Sequence, residues 1–175
     1  MSNTKKLTLA GVLIALIIVL SSYCQIPLGT SIRLDLGYAI VVFAAMFMGP
    51  IYGGVIAFLA RIIADLIFSG SISIWWAIGS AFFGLAIGIM TKLTNKLIKK
   101  RIKIIVIYIS IIIISFISFA GIVPIIALCF GLNYYFMLSI GVLASIADAI
   151  VALVLGFPAY YIIHEKMNIN NKNPH

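Results

Sequence analysis

The chain has 175 residues, 64% hydrophobic and 9% charged, with a mean hydropathy of +1.25. Apolar runs of membrane-span length fill most of it, which excludes a soluble domain and leaves no polar stretch for a second one. The net charge of +8 sits in short segments beside those runs, so anionic lipid and topology explain it better than nucleic acid does.

A first helix is expected over about 7–25, after Lys5 and Lys6. Its end, Ser21-Ser22-Tyr23-Cys24, has some likeness to a lipoprotein cleavage box, but Tyr23 is too bulky before the cysteine, and the segment reads as a retained helix. Pro27 and Gly29 open a loop that carries Arg33 and Asp35. From Ile32 to Ser69 the chain is apolar except for Arg33, Asp35, Arg61 and Asp65, and Gly49-Pro50 interrupts it once. As a single helix this stretch would reach roughly 50 Å, against a hydrocarbon core of about 30 Å. Proline lacks an N–H and disfavours helix in the residue before it, so a break at Gly49-Pro50 is expected, with spans over about 34–48 and 51–68. Ser69-Gly70-Ser71 is a turn signal, followed by a span over about 72–92. A basic segment then holds Lys92, Lys96, Lys99, Lys100, Arg101 and Lys103. The remaining spans are expected over about 104–130, containing Pro124, and 134–163, with a frayed polar tail over 164–175.

The distribution of positive charge decides the number of spans. Five spans would put Lys5-Lys6 and the basic segment on opposite sides of the membrane. Six spans put ten of the twelve Lys and Arg residues on the cytoplasmic side with both termini, leaving Arg33 and Arg61. The expected fold is therefore an all-α integral membrane protein, a compact bundle of six transmembrane helices in one domain. Its second span, at roughly 22 Å, is short and needs protein around it or a thinned bilayer.

No enzyme signature appears: no P-loop, no H-E-x-x-H and no G-x-S-x-G. Cys24 and Cys129 make neither a disulfide framework nor a metal site, and no cofactor is implied. Three ionisable residues lie inside spans: Arg61, Asp65 and Asp148. Each costs at least about 2.5 kcal/mol at a helix centre unless paired. They form either a structural cluster tying the third span to the sixth, or a ligand or ion site. A second group, Arg33, Asp35, Trp75, Trp76, Asn133 and Tyr134, falls at the outer ends of the spans. An aromatic belt accounts for some of these rings, but not for Arg33, Asp35 and Asn133 at the same level. Aromatic walls with a few polar groups suit a small planar ligand. Small residues four apart, such as Gly53 and Ala57 or Gly84 and Gly88, suit close helix packing. Gly11 and Ala15 share that spacing on a helix that can present them to another protein.

The stretch LDLGYAIVVFAAMFMGPIYGGVIAFLARIIADLIF, followed by WWAIGSAFFGLAIGI, resembles the substrate-binding S components of energy-coupling factor (ECF) transporters, in the riboflavin-transporter-like branch. The resemblance covers nearly the whole chain. It implies a prokaryotic plasma-membrane protein without enzymatic activity that binds a small vitamin or vitamin precursor from outside. The partners it implies are a transmembrane scaffold subunit and two ATP-binding subunits, with ligand release inside after the subunit topples. It matches Gly11 and Ala15 to the scaffold-docking motif, with Gly in place of the usual first Ala. It also matches Arg33, Asp35, Trp75, Trp76, Asn133 and Tyr134 by position to the ligand-binding region. Riboflavin, a pyrimidine precursor of thiamine and a queuosine-type base all remain open as ligands. The competing reading is a stand-alone proton-coupled or passive permease, supported by Arg61, Asp65 and Asp148. A non-transporting membrane scaffold is a third.

Overall fold

The computed structural model describes residues 3–24, 26–27, 33–97 and 100–172. It is almost entirely helical: α1 (Asn3–Tyr23), α2 (Gly37–Met48), α3 (Pro50–Ser69), α4 (Ile74–Leu97), α5 (Lys100–Ser115), α6 (Val123–Cys129), α7 (Tyr134–Val151) and α8 (Phe157–Lys172). Wide π-helical turns, Phe116–Ile122 and Ala152–Gly156, join α5 to α6 and α7 to α8 without a break. Five helical segments are long and apolar enough to cross a membrane: Asn3–Tyr23, Pro50–Ser69, Ile74–Lys96, Ile102–Cys129 and Tyr134–Ile163. Gly37–Met48 is a shorter apolar helix beside them.

Local chemistry explains the boundaries. The chain breaks at Gly49, whose φ of 98° favours glycine, and Pro50 takes the first turn of α3, where its missing N–H is harmless. Gly70 ends α3 in the left-handed conformation, and the Asn133 side chain caps α7 by accepting from the Phe136 N–H at 3.2 Å. Each π turn is followed two residues later by a proline, Pro124 or Pro158. A proline inside a helix removes one hydrogen bond and crowds the preceding turn, and a wide turn relieves both without ending the helix. The tail beyond Ile163, expected as frayed, is helical as far as Lys172. From Ala159 to Lys172 no glycine or proline stops it.

The first loop is not irregular throughout: Ile26–Pro27 and Arg33–Leu34 form a two-residue antiparallel ladder that turns it back toward α1.

The short helix α2 is the centre of the bundle, packed against α1, α3, α4, α7, α8 and the second π turn. Val42, Ala44 and Ala45 are fully buried, which is how a helix too short for a bilayer keeps protein around it. Beside it α3 and α4 meet through glycines: a Cβ on Gly84 would fall on the Gly53 carbonyl, and one on Gly88 would lie 2.6 Å from the nitrogen of Pro50. Lys92 of α4 reaches the same end, its Cε 3.5 Å from where a Cβ on Gly49 would be. The Gly49-Pro50 break and the start of the basic segment thus share one end of the bundle. By contrast, α1 turns Leu7, Val12, Leu16 and Val19 outward, and Gly11 and Ala15 are exposed with them.

Candidate functional site

At the opposite end, where α2 begins and α3 stops, a cavity of about 590 Å³ opens between α1, α2, α3, α4 and α7. That volume lies within the range of small-molecule sites, about 300–1,000 Å³. On α7 its lining runs from Ile140 to Asp148. Asp148 is fourteen residues beyond the start of α7 at Tyr134, which places it roughly 20 Å along the helix. The cavity therefore penetrates well into the bundle.

Its charged lining consists of Asp35, Arg61, Asp65 and Asp148. The two groups that the sequence kept apart, an outer cluster and an intramembrane one, meet here through Asp35. The ladder in the first loop brings Asp35 back against α1, where Ser21 donates its hydroxyl to Asp35 Oδ1 at 2.7 Å. The Gly37 N–H donates to the same oxygen at 2.8 Å, so Asp35 also holds the first turn of α2. Only 8% of Asp35 is exposed.

Arg61 and Asp65 are one turn apart on α3. Arg61 Nε lies 3.1 Å from Asp65 Oδ1, an ion pair by distance whose alignment is not that of a hydrogen bond. The Ser73 N–H donates to Asp65 Oδ2 at 3.0 Å, tying the pair to the α3–α4 turn. The guanidinium sits over the Trp76 ring, 5.8 Å from its centre, a cation–π contact. Among the described residues Arg61 makes no ion pair with Asp148 within 4 Å, although both line the same cavity. Tyr38 completes the polar lining: its hydroxyl is 2.7 Å from that of Ser80, and its ring packs edge-on against Phe83 and Phe119.

The remaining sequence-predicted residues lie elsewhere. Trp75 is outside the lining, tilted against Phe130 with ring centres 5.7 Å apart, and its indole N–H has no partner among the described residues. Asn133 is occupied in capping α7, and Tyr134 stands edge-on to Tyr135. The backbone of Arg33 is in the ladder, while its side chain lies outside the described residues. Gly11 and Ala15 face outward on α1, and a Cβ on Gly11 would meet nothing within 4 Å. Sequence reasoning missed Ser21, Tyr38 and Ser80. The available signals were weak: a hydroxyl pair closing an apolar run, and single hydroxyls beside Gly37 and Gly79. No group of three or more metal-ligating side chains occurs among the described residues.

Comparison with known proteins gives the family of the chain. Relatives include a UPF0397 protein of Exiguobacterium sp., 35% identical over 89 residues, which are 50% of this chain and 49% of that one. A UPF0397 protein of Onion yellows phytoplasma is 29% identical over 93 residues, 53% of this chain and 50% of the relative. Another from Streptococcus thermophilus is 29% identical over 91 residues, 52% and 50% of the two chains. The matched region thus spans about half the length of these curated relatives. The family described as "ECF-type riboflavin transporter, S component" matches far more, residues 1–165, and the chain belongs to that family.

Proposed function

We propose that this chain is the membrane-embedded substrate-binding subunit of an ECF-type importer. It captures a small vitamin or vitamin-precursor-like molecule from outside and passes it inward. A transmembrane scaffold subunit and two ATP-binding subunits supply the energy. The chain performs no catalysis. The observation that carries this reading is the cavity of about 590 Å³, open at one end of the bundle and lined by charged and aromatic side chains, in a chain of the S-component family.

Six passes with both termini cytoplasmic in a prokaryotic plasma membrane fit this reading. The basic segment and the Gly49-Pro50 break share one end, which the positive-inside rule assigns to the cytoplasm. The cavity end then faces outward. Asp35, Arg61, Asp65, Trp76 and Asp148 hold the ligand, while Trp75, Asn133 and Tyr134 belong to the rim at headgroup level, where Arg33 joins them. Gly11 and Ala15, exposed on α1, offer a small-residue face on which the scaffold subunit docks. Riboflavin enters as a ligand only through the description of the family.

The test is uptake in cells that carry or lack the ATP-binding subunits, combined with mass spectrometry of compounds released from the purified chain. Uptake that requires those subunits, together with a released small molecule, supports the proposal. Undiminished uptake without them overturns it in favour of a stand-alone permease.

A further inference from the structure

The cavity is unbalanced in charge: three carboxylates, Asp35, Asp65 and Asp148, face one guanidinium, Arg61. Arg61 is already committed, with Asp65 Oδ1 3.1 Å from its Nε and the Trp76 ring beneath it. Asp35 is held on one oxygen by Ser21 and Gly37. Asp148 is different. It is 4% exposed, it lines the cavity, and among the described residues it makes no hydrogen bond or ion pair. A carboxyl group buried to that extent is unfavourable unless something pairs with it. An acid serving only the fold would have its partner within the protein.

Resting on the reading of this chain as a substrate-binding subunit, we infer that the ligand brings the partner of Asp148. The ligand is a heterocycle with a positively charged nitrogen or an N–H donor edge that seats on this carboxyl group. The cavity discriminates against phosphorylated and carboxylated compounds. An anion entering it meets three acidic side chains that share one guanidinium among the described residues, in surroundings where like-charge repulsion is poorly screened. A cation or donor edge replaces a missing interaction with a charge-assisted hydrogen bond. Selectivity between a vitamin and its phosphate ester thus comes from repulsion as well as attraction.

The test uses the full chain in detergent micelles and follows its thermal midpoint by calorimetry. Four probes form two matched pairs: thiamine with thiamine diphosphate, and riboflavin with flavin mononucleotide. At least one unphosphorylated probe is expected to raise the midpoint, at a half-maximal concentration ten or more times lower than its phosphate ester requires. Asp148→Asn, nearly identical in shape, is expected to leave the ligand-free midpoint equal or higher, while the responding probe needs at least ten times more. Equal or stronger responses to the phosphate esters overturn the inference. So does a lowered ligand-free midpoint in Asp148→Asn, which marks a structural acid. If none of the four probes acts, this ligand class is wrong. The binding reading survives that result when a compound is still released from the purified chain, and falls with it when none is.

Discussion

Replacing Gly84 with alanine tests the seam on which the cavity depends. The added methyl would fall on the Gly53 carbonyl, with the carbonyl carbon 2.7 Å away and the Gly54 nitrogen at 3.2 Å. Ordinary van der Waals contact begins near 3.4 Å, and all these atoms are backbone, so no rotamer change relieves the clash. Overpacking of this kind costs about 1–3 kcal/mol, and an unyielding backbone puts it near 3 kcal/mol. Alanine regains about 1 kcal/mol of helix propensity, leaving a net loss of about 2 kcal/mol. For a chain of this size that lowers the thermal midpoint by roughly 4–8 °C. Gly11→Ala is the control: its methyl meets nothing within 4 Å, so only the propensity gain remains, and the midpoint should hold or rise. Thermal unfolding of the purified variants, followed by tryptophan fluorescence, decides. If Gly84→Ala unfolds at the parent's temperature, the α3–α4 packing described above is wrong, and so is the placement of Arg61, Asp65 and Trp76 that it supports.

Trp76→Ala is expected to weaken binding of the copurified ligand about tenfold or more, because a stacked aromatic contributes about 1–3 kcal/mol; Trp75→Ala, outside the lining, should change it less than about threefold. Titration calorimetry that finds equal losses for both would refute the assignment of the cavity. Asn133→Ala removes the α7 cap and should cost about 1 kcal/mol of stability while leaving affinity unchanged. Ala15→Trp adds bulk to the exposed face of α1 and is expected to abolish uptake while ligand binding persists; lost binding would mean that this face serves the fold. Cysteine labelling should find Ser71→Cys accessible from outside and Lys96→Cys only from the cytoplasm, and labelling of both from one side would exclude six passes.

Much of the helical order was legible because membrane-span length and proline chemistry are local properties. Gly49-Pro50 carried its own break, and Arg61, Asp65 and Asp148 stood out as ionisable residues in apolar surroundings. What the sequence could not supply was tertiary. Asp35 joins the intramembrane charges only because the ladder between Ile26–Pro27 and Arg33–Leu34 folds the loop back, and two-residue strands leave no periodicity to read. Trp75 and Trp76 are neighbours about 100° apart on a helix. The choice between them rests on remote partners, Phe130 for one and Phe119 with Arg61 for the other. Asn133 has a role that was legible locally. An asparagine directly before a helix is a capping signal in its own right, and the cap is formed.

The cavity and the short helix have a common origin. At twelve residues, α2 is about 18 Å long, whereas α3, at twenty, is about 30 Å. Both meet at Gly49-Pro50, where the close approach of Gly88 to Pro50 fixes their common end. The deficit in length must therefore fall at the other end, above Gly37, and there the cavity lies. Gly37, Tyr38 and Val41, all in the first turns of α2, line it. The Ser21–Asp35–Gly37 hydrogen bonds stop the helix at that level by engaging its first free N–H and holding the preceding loop against α1. The short helix is in this fold the source of the cavity. Asp35, which ends the helix, contributes a charged wall to it.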